Sequence, residues 1–321
     1  MKSSGFSITE PGKAWVLVDE GNPFLETQCL SIVEAMEFPA HLHRVSIPSF
    51  WRYVPLNFIP NFFGKVYSSP TSLTPPWPSL VICGGRISLK LGTYLKKKYN
   101  VFTVAVGRTG SSFNKIILES HRPEEMGKNI MTFGPLHRIQ QDSLLHARKA
   151  FYRKIDHLPK PRVSLFIEEH ENLEALIEIL IGLHKKSPFS LMVYGDKLSE
   201  EDRNRLERGF QKIPYFLWCG QEEDPYLGFL AHSDAIIMSY PSSLMLAEAT
   251  AVGKPLFVYS SHRLDSYVQA LMQNGYASRL THESLLFSRS LLAPLQESQR
   301  VGEMLKGAYL EAFPSSLLNL S

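Results

Sequence analysis

Cysteine is scarce in this chain of 321 residues: Cys29, Cys83 and Cys219 are the only three, and they lie far apart. No CxxC pair and no disulfide framework can be drawn from them, so a reducing compartment is expected. Long apolar runs are missing too, and none approaches the roughly 20 residues that cross a bilayer. The opening MKSSGFSITEPGKAW has neither the apolar core of a signal peptide nor the Arg-rich pattern of a transit peptide. A soluble, cytoplasmic protein is the expectation. Charge of one sign is also lacking, with 34 Lys and Arg against 31 Asp and Glu. Lys96-Lys97-Lys98 reads as a solvated helix end, so nucleic acid is not an expected partner. No DxD motif occurs, and His41 and His43 have no Cys, Asp or Glu at ligand spacing, so no metal site is expected. The apolar share of 44% and charged share of 20% are those of an ordinary globular protein, long enough for two cores. One aromatic, basic stretch, residues 50–63, has the composition of a peripheral membrane contact.

What is present is most concentrated in His232–Tyr259, HSDAIIMSYPSSLMLAEATAVGKPLFVY. Ala235–Met238 reads as a buried strand. Ser239-Tyr240-Pro241-Ser242-Ser243 is a hydroxyl-rich turn, and Leu244–Val252 has helical composition. Gly253 closes that helix, Lys254-Pro255 breaks away and Leu256–Tyr259 makes a second strand. A parallel βαβ unit puts this turn at the carboxyl end of a strand and the amino end of a helix. Open α/β sheets bind ligands there, and helix amides favour anions. The segment points to a nucleotide or phosphorylated sugar, with Ser239, Ser242, Ser243 and Lys254 as candidate phosphate contacts. Ser242 or Ser243 also suits a plain helix cap.

Strand and helix signals alternate through the rest of the chain. Strands are expected at Trp15–Val18, Val45–Pro48, Leu80–Cys83, Phe102–Val106 and Asn114–Leu118, with helices at Glu26–Met36 and about Ser88–Lys97. Pro159-Lys160-Pro161-Arg162 reads as a linker. A second set follows: strands at Val163–Ile167, Ser190–Tyr194 and Phe216–Cys219, and helices at Asn172–Lys185 and Ser199–Phe210, the latter with a capping box at Ser199. The tail from about His282 to Leu310 reads as helical. The expected class is α/β, two doubly wound Rossmann-like domains facing a cleft, at residues 1–158 and 159–321. Gly21, Asn22, Gly84, Gly85 and Arg86 fall at carboxyl ends of first-domain strands, with Arg108 a similar case, and are candidates for an acceptor side. His121 and His137 are candidate general bases, as is Glu119 if burial raises its pKa.

The order of these pieces resembles the elongated-mitochondria (mitochondrial fission) family, whose bacterial branch is described as GT-B-type glycosyltransferases. The resemblance rests on Trp15-Val16-Leu17 with Gly21-Asn22 and Gln28, then Ile82-Cys83-Gly84-Gly85-Arg86, then Phe113-Asn114, Glu119-Ser120-His121 and Asn129. Gly134-Pro135-Leu136-His137-Arg138 follows, then Glu223-Asp224-Pro225-Tyr226, Asp234–Ile237, Met245, Glu248-Ala249 and Gly253-Lys254-Pro255. It implies a GT-B-like fold without a required cofactor, a nucleotide-sugar donor such as a UDP-sugar, and an undetermined acceptor. In such donor sites a glutamate at the position of Glu248 accepts ribose hydroxyls, and Arg138 falls on the acceptor side. Two alternatives stay open: a catalytically degenerate adaptor at a membrane surface, and a nucleotide-sugar epimerase. The chain departs from the family pattern where a glycine-rich turn becomes Glu168-Glu169-His170, an arginine pair becomes Asp196-Lys197, and the serine turn carries Pro241 and Leu244. Acids in a phosphate turn repel the donor, which favours the adaptor.

Overall fold

Short apolar runs make strands here because the parallel sheets are covered on both faces; every residue of Trp77–Gly84, for example, is buried. The structure, a computed structural model, describes residues 9–46, 73, 75–108, 112–120, 125–168, 172–220, 223–260, 264–288 and 292–314. The aromatic stretch at 50–63, His121, Glu169 and His170 lie outside them. Among the described residues no helix is long and apolar enough to cross a membrane.

The chain divides into two units, residues 1–138 with 296–321, and residues 139–295. The first begins with β1 (Thr9–Asp19), α1 (Pro23–Ala35), β2 (Ala40–Val45), β3 (Trp77–Gly84), α2 (Arg86–Tyr99), β4 (Phe102–Val106), β5 (Lys115–Glu119), β6 (Glu125–Met126) and β7 (Asn129–Thr132). Its sheet order is β2-β1-β3-β4-β5-β7-β6, parallel except for the β6–β7 pair. The second unit holds α3 (Gln141–Ile155), β8 (Arg162–Ile167), α4 (Leu173–Lys186), β9 (Ser190–Tyr194), α5 (Glu200–Gly209) and β10 (Tyr215–Trp218). It continues with α6 (Tyr226–His232), β11 (Ala235–Ser239), α7 (Ser243–Val252), β12 (Leu256–Tyr259), α8 (Ser266–Gln273) and β13 (Ser278–Arg279). Its order is β10-β9-β8-β11-β12-β13, so growth of the sheet reverses between β8 and β11. In the first sheet the reversal falls between β1 and β3. Turns that leave these strands therefore meet at the two switch points, where α/β sheets receive ligands.

The last helix, α9 (Glu297–Ala312), belongs to the first unit rather than to the second, where the linear reading leaves it. Gly302 lets it approach α1 closely: a Cβ there would stand 2.5 Å from the Ala35 Cβ. Glu297, almost fully buried, accepts from the Phe133 amide at 2.8 Å, and Arg300 donates both to Glu297 and to the Met131 carbonyl. The tail before it is not one helix. Pro294 has no amide hydrogen to continue a helix, and the Leu295 amide is spent on the Thr250 carbonyl, so the helix starts only at Glu297.

The proline-rich segment at 159–162 is likewise not a free linker. Arg162 is buried and donates to the Leu158 carbonyl at 2.9 Å, and the His232 ring donates to the Arg148 carbonyl at 2.8 Å, tying α3 to α6. The division of the chain therefore falls before α3. Strand β2 starts five residues earlier than its apolar pattern suggests, because it is an edge strand with one buried face. On that face His43 packs against Trp15 at 4.7 Å, and burial pushes its pKa down to about 4. At α5, Ser199 caps by accepting from the Asp202 amide, and its hydroxyl donates to the Asp202 carboxylate.

Candidate functional site

Parallel pairing of β8 with β11 matches Ile167 to Ser239, so the residues just beyond both strands are neighbours. Ser239 is buried at the end of β11. Tyr240 takes a left-handed conformation (φ 49°), which turns the chain sharply toward α7. Ser242 is the N-cap of α7: its hydroxyl accepts from the Met245 amide at 3.4 Å, so the plain capping role is occupied. Ser243 opens the helix. Across the switch point, the Glu168 amide donates to the Ser239 carbonyl at 3.3 Å, and the Glu168 carboxylate accepts from the Ser242 amide.

Behind the turn, Glu248 points from α7 toward an aromatic group. The Tyr226 hydroxyl donates to Glu248 Oε2 at 2.6 Å. Tyr226 lies edge-on to Phe166 at 5.2 Å and to Tyr194 at 5.6 Å, and Tyr194 stacks on Trp218 at 4.7 Å. Desolvation raises the Glu248 pKa, opposed by the Tyr226 bond, and desolvation beside Glu248 raises that of Tyr226. Tyr226 stands inside the sequence motif Glu223–Tyr226, yet nothing local marks it as the partner of a residue on another helix.

A consequence of the Glu248 shift can be measured. Burial disfavours its charged form, so folding binds a proton that the unfolded chain releases above the ordinary carboxyl value of 4.5. That contribution to stability is complete below 4.5 and is lost as pH rises through the higher folded value. Glu248→Gln keeps an acceptor for Tyr226 and carries no charge. It is expected to melt close to wild type at pH 4 and a few degrees higher at pH 7. A difference that stays constant across that range would remove the assignment of the shift to burial.

The other candidate residues separate. Lys254 follows the far end of α7, whose ten residues span about 15 Å, so it is not brought to the serine turn. It lines instead a cavity of about 630 Å³ with Lys160, Asp234 and Phe287, at the opposite ends of the strands. His137 is buried, at 2% exposure, and its main chain is clasped by Ser298, which accepts from its amide and donates to its carbonyl. His137 is thus a buried residue with a fixed main chain, rather than one placed at the open end of a strand. Arg138 is paired with Glu34 on α1, its Nε donating to Oε2 at 3.0 Å, and half of its side chain is exposed.

At the switch point of the first unit, Gly21 has φ +80° and Asn22 caps α1 by accepting from the Leu25 amide at 3.1 Å. Gly84 lies against Cys29, and Gly85, at φ +113°, has room only for hydrogen because a Cβ would meet the Asp19 carboxylate at 2.3 Å. Asp19 accepts from the Ile87 amide at 3.1 Å and the Ser88 amide at 2.8 Å, filling the amino end of α2. Arg86 and Arg108 are exposed beside these turns, and Glu119 is exposed at the end of β5.

These features define an α/β protein of two doubly wound, GT-B-like units with a hydroxyl- and carboxylate-bearing corner at the second switch point. The fold is similar to that of UDP-GlcNAc 2-epimerase from Neisseria meningitidis bound to UDP-GlcNAc, with a TM-score of 0.60, 11% identity, and coverage of 93% of this chain and 100% of that one. It is also similar to that of S. aureus MnaA in a co-structure with UDP, with a TM-score of 0.51, 11% identity, and coverage of 94% and 97%. The family model described as mitochondrial fission ELM1 matches residues 25–309, and the chain belongs to that family. Mitochondrial fission protein ELM1 of Arabidopsis thaliana is 23% identical over an alignment of 256 residues, with coverage of 64% of this chain and 57% of the plant protein. The chain thus spans a little over half the length of that curated relative.

Proposed function

We propose that the second unit binds a nucleotide-sugar at the β11–α7 turn and that the chain transfers the sugar to an acceptor received by the first unit. Glu248 carries this reading. A carboxylate brought into an aromatic corner at a switch point, with Oε2 held by Tyr226, keeps lone pairs for the vicinal hydroxyls of a ribose. Ser242 and Ser243 supply hydroxyls to the phosphates, with Ser239 beneath them. Gly21, Asn22, Gly84, Gly85, Arg86 and Arg108 frame the acceptor turns, and Glu119 or His121 takes the acceptor proton. Rate comes from orientation and from stabilising the charge of the leaving diphosphate. The UDP-GlcNAc and UDP named for the two similar structures make a uridine nucleotide the first donor to try.

The test is binding of UDP, GDP, CMP, dTDP and ADP, with their common sugars, read by thermal shift and calorimetry. A ligand at 100 times its Kd adds about 2.7 kcal/mol. Glu248→Ala is expected to lower nucleotide affinity by about tenfold or more through loss of charged hydrogen bonds. No shift with any nucleotide, in a protein that melts cooperatively, removes this reading. Free nucleotide released from a nucleotide-sugar without an acceptor product would point to epimerase chemistry.

A second reading is favoured by the two carboxylates, Asp19 and Glu168, already seated on helix amides at the switch points. In it the fold has lost donor chemistry and serves as an adaptor at a membrane surface. Flotation with anionic liposomes, together with silence in the nucleotide screen, would support it.

A further inference from the structure

We infer that Glu168 is a specificity-determining residue of the proposed donor site, one that sets the β11–α7 turn against strongly anionic ligands; this rests on the nucleotide-sugar reading above. Three observations meet at this residue. The sheet order makes β8 and β11 neighbours, so the first residue past β8 must lie beside the turn past β11. The Glu168 main chain is fixed there by its amide bond to the Ser239 carbonyl. Its carboxylate then takes the Ser242 amide, while the Ser242 hydroxyl takes the Met245 amide. The amino end of α7 thus already holds one full negative charge, in the position where a helix otherwise stabilises phosphate.

A diphosphate arriving at this turn brings at least two further charges. Either it shares the helix end with Glu168, against like-charge repulsion, or it displaces the carboxylate. The Glu168 side chain keeps 23% exposure, and Lys197 Nζ stands 4.0 Å from Oε1 as an exposed counter-charge that can receive it. Exposed pairs of this kind hold weakly, so Lys197 does not lock the carboxylate in place. The first unit offers a contrast. Asp19 sits on two amides of α2 against Gly85, with no space between them for another group, and is part of the architecture. Glu168 has the same chemistry at a turn where Ser242 is exposed. A nucleoside, or a nucleotide whose charge is reduced, enters this corner without meeting that repulsion.

The experiment uses the full chain as wild type, Glu168→Gln and Glu168→Gly. Calorimetry compares UDP, GDP, ADP and dTDP, each with its parent nucleoside. Glutamine keeps the acceptor for the Ser242 amide and removes the charge; glycine removes the side chain, and circular dichroism melts confirm that both variants fold. The expected result is a gain of about tenfold or more for a nucleoside diphosphate in both variants, with its nucleoside unchanged within about twofold. Diphosphate affinity that stays equal or falls in both variants, while wild type binds nucleotide, overturns the role of Glu168 and leaves the donor site standing. No binding of any nucleoside or nucleotide to all three proteins overturns the donor site and this inference with it.

Discussion

Tyr309→Ala is expected to cost about 4 kcal/mol, the range for deleting a large buried aromatic side chain. Tyr309 has no exposed surface and stands edge-on to Phe38 at 5.1 Å and Phe102 at 5.8 Å. It shares a core with Val16, Leu80, Ile82 and Val104, which are central residues of the first sheet. Its hydroxyl donates to Ser79 Oγ at 2.7 Å. The alanine variant would leave a ring-sized cavity between α9 and that sheet and a buried serine without its donor. Tyr309→Phe keeps the packing and should lose only about 1 kcal/mol. Hydrogen exchange locates the damage: protection should fall in β1, β3 and β4 and persist in β8 and β11. Equal loss in both sheets would show that α9 is not a part of the first unit alone.

Asp19→Ala should lower stability by about 2–3 kcal/mol, because two amides at the start of α2 lose a charged acceptor. The Ile87 and Ser88 amides have no turn of helix before them to supply a carbonyl, and Ser88 is fully buried. Asp19→Asn retains one acceptor oxygen and should recover part of the loss. Urea denaturation at neutral pH measures both. A neutral Asp19→Ala variant would mean that water or another group satisfies the helix end. It would also free the Ile87 and Ser88 amides, which the Asp19 carboxylate now occupies, for an anion at the Gly84-Gly85-Arg86 turn.

Much of this was legible in local pattern. Buried parallel strands are continuous apolar runs, so β3, β4, β8, β9 and β11 stand out in the sequence, and the turn chemistry of Gly253 and Ser242 marks both ends of α7. The order of motifs was enough to place the chain near its family. Even the separation of Lys254 from the serine turn follows from the length of α7. His137 was not legible in this way. A histidine in a loop reads as an exposed polar residue, and its burial, with Ser298 of α9 on its main chain, follows from packing across the unit.

The sequence by itself determined the alternation of strands and helices, the α/β class and the places where turns meet helix ends. Those depend on residues within a few positions of one another, where backbone geometry and side-chain period act directly. The tertiary structure alone decided which distant groups also reach helix ends. Glu168 reaches Ser242 across 74 positions and Asp19 reaches Ile87 across 68. Tyr226 meets Glu248 from a different helix, and α9 returns to α1 past an entire second unit. These pairings follow strand order and helix packing, which are set by burying both faces of each sheet at once, and no local stretch of chain contains that information.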